Sequence, residues 1–191
     1  KKWFKSIFLD SETMQSTLSE LNICTTHWNG LVTPKFKASA FHICDFTNDD
    51  SISETPYSKL EAVIFVGSYT GEIVRYILQT DQSYPSTCSF GHNTKIVQFA
   101  ECTLPVIQNG IVSLSYDGTV CVWSVLDGIC YQRFHQILPK GCQRIACANT
   151  AIEIAAISGA FPNIYILNLQ TGEIISQIRP IPKFTVCLEF Y

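Results

Sequence analysis

Along most of this chain apolar and polar positions alternate in short runs broken by glycine turns, the period of two that a half-buried strand requires. The clearest stretch is IVSLSYDGTVCVWSVLDGIC, residues 111–130. It predicts a strand over 111–115, a Tyr116-Asp117-Gly118 turn, a strand over 119–125, an Asp127-Gly128 turn and a further strand from Ile129. Asp hydrogen-bonds its own backbone and Gly accepts positive φ, while Val120, Val122, Trp123 and Val125 suit a pleated surface. Two turns so close together leave no room for a helix. The pattern recurs upstream, with a strand over 38–46, a polar loop over 47–59 read as a tolerated insertion, a strand over 60–66, a Tyr69-Thr70-Gly71 turn and a strand over 72–78. Downstream it recurs over 143–148, 152–158, a Phe161-Pro162-Asn163 turn, 164–169, a Gln170-Thr171-Gly172 turn and 173–178, with 184–190 opening one more unit. Residues 1–22 read differently. Asp10 or Ser11 can cap a short amphipathic helix with Met14, Leu18 and Leu21 on the face that packs against its own protein, and 21–32 reads as a strand with a turn at Asn29-Gly30. The chain therefore divides into a helix-and-strand extension over 1–32 and a repeat region over 33–191.

Gly71 and Gly118 stand one repeat apart, as do Gly128 and Gly172, at spacings near the ~40–45 residues of a propeller blade. The set Gly91-His92, Ser113, Asp117-Gly118 and Trp123 resembles one WD40 repeat. The resemblance implies an all-β, WD40-type β-propeller, partial here at about three to four blades, preceded by the short N-terminal helix. It also implies a buried hydrogen-bonded chain in which Trp123 donates to Ser113, Ser113 bonds His92, and His92 donates to Asp117. Such a chain satisfies polar groups that would each cost a few kcal/mol if buried alone. The flanking units have lost it. Thr70, Val66 and Tyr76 stand at the Asp, Ser and Trp positions of the first, which is expected to rely on apolar packing alone, and Phe161, Ile157 and Leu167 at those of the third. So few blades cannot close a ring, and the chain runs from Lys1 to Tyr191 as a piece of something larger that more chain or a partner completes.

A finer likeness lies in SFGHNTKIVQF, SLSYDGTVCVWSVLDGICYQRF and NIYILNLQTGEIISQI, which resemble the amino-terminal blades of the beta-subunit family of rabconnectin-3. That family is a scaffold working with an alpha subunit to assemble and regulate the vacuolar proton pump on vacuoles, endosomes or vesicles. The implied partners are an alpha-type subunit and proton-pump subunits, and the implied setting is cytoplasmic and peripheral to those membranes. The first blade, GEIVRYIL, departs from the family's Trp-Asp ending, and residues 1–22 have no counterpart. Other propeller roles compatible with the fold are a WD40 subunit of a coat, tethering or ribosome-assembly complex, and a substrate adaptor of a ubiquitin ligase, although no ligase-docking segment is evident.

Composition narrows the classes. The 191 residues are 47% hydrophobic and 15% charged, as in a globular protein, and the net charge of -3 with pI near 5.8 comes with no basic cluster to bind nucleic acid. The most apolar region, 145–161, is interrupted by Asn149, Thr150 and Glu153 and cannot span a bilayer as a helix. Nine cysteines, scattered and odd in number, fit a reduced cytosolic setting better than a disulfide framework, and Cys44, Cys121, Cys147 and Cys187 lie inside apolar strand patterns. Cys142, Cys147 and His135 are a poor zinc set, because no CxxC pair is present.

Ser113, His92 and Asp117 have the residue types of a hydrolase triad, but Ser113 lies within a strand rather than on a strained GxSxG turn with oxyanion donors. No phosphate-cradling loop, HExxH or GxGxxG occurs, and no cofactor is implied. His27, His42 and His135 read as isolated histidines, Trp3 and Trp28 as packing residues, and the acidic 45–54 stretch as a solvated face. Binding in such a fold falls to the loops at the blade ends, which points to Asn93, Lys95 and Tyr116 as an interaction surface beside His92 and Asp117.

Overall fold

The computed structural model describes residues 37–46, 60–79, 82–148, 153–179, 188 and 190. The helix over 1–22, the strand over 21–32, the 47–59 loop and nearly all of the 184–190 strand lie outside them.

Among the described residues, twelve strands follow one another as three antiparallel meanders. Blade 1 consists of β1 (Ala38–Asp45), β2 (Leu60–Ser68), β3 (Glu72–Gln79) and β4 (Gln82–Phe90). Blade 2 consists of β5 (Ile96–Leu104), β6 (Ile107–Ser115), β7 (Val120–Ser124) and β8 (Cys130–Phe134). Blade 3 consists of β9 (Cys142–Cys147), β10 (Ile154–Gly159), β11 (Phe161–Asn168) and β12 (Ile174–Ile178). Each sheet is four-stranded and each strand pairs only with its sequence neighbours. The first strands β1, β5 and β9 lie side by side and bring the blades together. The fold is thus all-β, with three consecutive four-stranded sheets arranged as blades of a partial β-propeller.

The same backbone contact repeats in every blade. The residue before the innermost strand (Lys37, Lys95, Gly141) supplies a carbonyl to the N–H of the residue that follows the second strand (Tyr69, Tyr116, Ala160), at 2.8–3.0 Å. The turn glycines Gly71 and Gly118 take φ of 94° and 85°, and a Cβ at either would run into the backbone of the segment leading to the next blade, at His92 and Leu138 respectively. Only glycine meets both demands.

Burial follows from stacking, because no single meander covers its own faces. Between blades 1 and 2 lie Val63, Phe65, Ile73, Phe99, Ile111 and Trp123. Between blades 2 and 3 lie Val112, Leu114, Val122, Ile145, Ile157 and Leu167. Each such side chain contributes about 1.5–3 kcal/mol by leaving water.

Two readings need correction, and one strand lies where the sequence pattern marks none. QSYPSTCSF forms the outer strand β4, paired to β3 from Glu72↔Phe90 to Gln79↔Gln82, although nothing in its polar, proline-containing sequence announces a strand. Phe161-Pro162-Asn163 is not a turn but the start of β11. The chain reverses at Gly159-Ala160, and the register shift between Ile157 and Gly159 leaves Pro162 where its missing N–H is not needed. Blade 1 does not rest on apolar packing alone. Ser68 Oγ accepts the N–H groups of Thr70 (3.2 Å) and Glu72 (2.9 Å), and Thr70 Oγ1 donates to Glu72 Oε2 at 2.9 Å.

Candidate functional site

The site has a buried part that holds the blade end together and an exposed part above it. Trp123 projects from β7 and Ser113 from β6. Trp123 Nε1 donates to Ser113 Oγ at 2.8 Å, and Ser113 Oγ lies 2.6 Å from His92 Nε2. All three are buried, Ser113 completely. Gly91 lies so close to the Trp123 ring that a Cβ would overlap it, which explains a glycine before the histidine. The Ser113 oxygen accepts the indole hydrogen and shares one further hydrogen with His92 Nε2, the imidazole tautomer setting which of the two donates, and full burial keeps substrate away from that hydroxyl. A nucleophilic role is incompatible with this geometry.

The last link differs from the expectation. His92 Nδ1 has no hydrogen-bond partner among the described residues. Asp117 turns to local donors instead: Ser115 Oγ at 2.5 Å, the Thr119 N–H at 3.2 Å, and Gln136 Nε2 at 3.4 Å on its other oxygen. Ser115 and Thr119 are two residues away, so Asp117 satisfies itself within its own turn and the histidine is left with one bond. Sequence reasoning missed Ser115, Thr119 and Gln136. The recurrence of serine at 68 and 115, each two residues before the turn's polar residue, was the available signal.

The electrostatics follow from this geometry. Burial pushes the His92 imidazole down to about 4, against the opposing pull of the nearby Asp117 charge. Asp117 is raised by burial, but the hydrogen bonds from Ser115, Thr119 and Gln136 prevail and hold it at about 2. His92 is therefore neutral in the fold while the unfolded chain takes up a proton near 6.5. Its contribution to stability is complete above that value and is lost as the pH falls towards about 4. Chemical denaturation between pH 7 and pH 4 should show this loss, and His92→Gln should flatten it. An unchanged slope in the variant would contradict the assignment.

Above the buried set, Asn93 and Tyr116 are exposed and Lys95 is half-buried. Tyr116 receives the Lys95 carbonyl on its N–H at 2.9 Å and gives its own carbonyl to Gly141 N–H at 2.8 Å, so its backbone is fixed while its ring stays in water. Lys95 Nζ sits 4.6 Å from the centre of the Tyr69 ring, a cation–π contact from blade 2 to blade 1. Tyr69 and Tyr116 occupy equivalent turn positions and are 53% and 48% exposed, so the patch holds two aromatic rings with an ammonium against one of them. Alignment of the two turns would have disclosed Tyr69.

His42 is not isolated, since its Nε2 lies 2.9 Å from Glu101 Oε1. His135 Nδ1 pairs with Thr119 Oγ1 at 3.4 Å, and Cys142 donates to the Pro139 carbonyl at 3.4 Å. Neither joins a metal-ligand group among the described residues. Cys44, Cys102, Cys121, Cys130, Cys142 and Cys147 are free thiols, all buried except Cys130.

No family model matches this chain, and no curated protein matches it. Among solved structures it is similar to the WD40 β-propeller domain of Doa1, at 14% identity and a TM-score of 0.49, over 66% of this chain and 40% of that one.

Proposed function

We propose that this protein is a non-enzymatic protein-interaction scaffold that docks partners on the blade end carrying Tyr69, Asn93, Lys95 and Tyr116. The observation that carries the reading is the exposed Tyr69–Lys95–Tyr116 patch. Its rings and charge are held on turns whose backbone is already satisfied, so little ordering entropy is lost on binding, and tyrosine is among the residues that dominate interface energetics. The strands are committed to the core and leave the loops for recognition.

The partner class follows from the likeness of blades 2 and 3 to the beta subunits of rabconnectin-3. The scaffold assembles or regulates the vacuolar proton-pumping ATPase, together with an alpha-type subunit, from the cytoplasmic side of vacuole, endosome or vesicle membranes. Affinity capture with the full-length protein should recover pump subunits and the alpha-type partner, and Lys95→Glu with Tyr116→Ala should reduce that recovery at least about tenfold. Coat or ribosomal components in their place would overturn the pump assignment, and full recovery by the double variant would overturn the docking surface.

A further inference from the structure

At the opposite end of the cleft between blades 1 and 2, three side chains meet that the scaffold reading does not use. Strands β1 and β5 run side by side in the same direction. Ser39 Oγ donates to the Ile96 carbonyl at 2.7 Å near their starts, and His42 Nε2 meets Glu101 Oε1 at 2.9 Å further on. His42 and Cys44 are two residues apart on an extended strand and so project from one face of β1. Glu101 reaches them from β5. An imidazole nitrogen, the Cys44 sulfur and a Glu101 carboxylate oxygen all lie within 4.8 Å of one another.

We propose that His42, Cys44 and Glu101 form a zinc(II)-class metal site that ties blade 1 to blade 2. One nitrogen, one sulfur and one carboxylate oxygen are a donor set for zinc, whereas calcium and magnesium take oxygen alone. Around zinc at its usual bond lengths such donors stand roughly 3.3–3.7 Å apart, so the cluster needs only a small adjustment, with the His42–Glu101 hydrogen bond opening to admit the ion. Three ligands leave one position of a tetrahedron for water. That position opens on the Glu101 side, where the carboxylate is 56% exposed, while Cys44 is buried. Burial and the Glu101 charge push the Cys44 thiol well above its ordinary range, with Cys102 adding to the effect. A divalent cation reverses that balance: the sulfur–hydrogen bond breaks, the electron pair goes to the metal, and the proton leaves to solvent.

A His42–Glu101 ion pair with Cys44 as an inert neighbour makes a different prediction, and cobalt(II) separates the two. Titrated into the full chain under reducing conditions, cobalt should bind at one equivalent with a thiolate-to-metal charge-transfer absorption that zinc abolishes. Cys44→Ser should lose the absorption, and Cys130→Ser, remote and exposed, should keep it. His42→Asn and Glu101→Gln should keep the absorption but bind at least about tenfold more weakly, because even changes outside the ligand shell cost 10–100-fold. Glu101 is exposed, so its variant tests the site even where Cys44→Ser fails to fold. No charge-transfer band in the wild type, a band undiminished in Cys44→Ser, or unaltered affinity in Glu101→Gln would each overturn the proposal.

Discussion

Replacing Trp123 with alanine is expected to lower the free energy of unfolding by about 3–5 kcal/mol, the usual range for an aromatic truncated in a core. The ring is 3% exposed and stands in the cleft between blades 1 and 2 with Phe65, Phe99 and Ile111. Its loss opens a cavity at a blade junction, where the backbone of both sheets is fixed by ladder hydrogen bonds and collapses poorly. It also removes the donor on Ser113 Oγ and the wall against which Gly91 is packed. Trp123→Phe isolates these contributions, because most of the apolar contact survives and the indole N–H does not. A loss of about 1–2 kcal/mol is expected for it. Since a domain of this kind has only about 5–15 kcal/mol to lose, the alanine variant should melt well below the parent. Chemical denaturation of both variants makes the comparison. A cost below about 1 kcal/mol for Trp123→Ala would mean that the blade junction does not depend on it, and equal costs for the two variants would mean that the hydrogen bond carries everything.

The parts of the fold that were legible in sequence are those where local chemistry and long-range packing agree. Asp117-Gly118 and the alternating valines of β7 demand a hairpin by themselves, so blade 2 could be drawn with its strands nearly in place. Outer strands were harder. β4 contains Pro85 and little apolar alternation, and it is a strand because β3 offers it a ladder. β8 was legible from its position in the repeat, although none of its residues is buried. Pro162 misled in the opposite sense, since proline punctuates turns in general but is harmless beside a register shift. Of the polar set, the Trp123–Ser113–His92 links follow from residue types whose places in the repeat are fixed. The expected His92–Asp117 bond fails because a carboxylate beside a turn has several donors within reach and sequence does not rank them. His42 and Glu101 were invisible as a pair, because only the stacking of β1 on β5 joins them.

Arg75 is the second residue whose loss should be severe, and it was not singled out in the sequence. It sits in β3 of blade 1, is 7% exposed, and its Nη1 donates to the carbonyls of Val125 and Leu126 in blade 2, at 2.9 and 2.6 Å. These carbonyls lead into the Asp127-Gly128 turn. Gly128, at a φ of 71°, leaves room for the guanidinium, and a Cβ there would stand 2.9 Å from Arg75 Cζ. Arg75→Met preserves much of the side-chain volume but removes both donations from a dry cleft. The expected cost is about 3–5 kcal/mol, because hydrogen bonds from charged groups are worth roughly 1.5–3 kcal/mol each when the acceptors are left without a partner. Arg75→Lys should recover only part of it, since an ammonium on a flexible stem does not hold two acceptors as a planar fork does. The loss should change little between low and high salt, as burial shields the contact from screening. Gly128→Ala should be harmful in the parent and less so beside Arg75→Met, and this non-additivity identifies the guanidinium as the group that turn was shaped to receive. Denaturation of the single and double variants gives the coupling directly. Strict additivity, or a cost for Arg75→Met that disappears in salt, would assign Arg75 to the surface and leave the junction of blades 1 and 2 to its apolar residues.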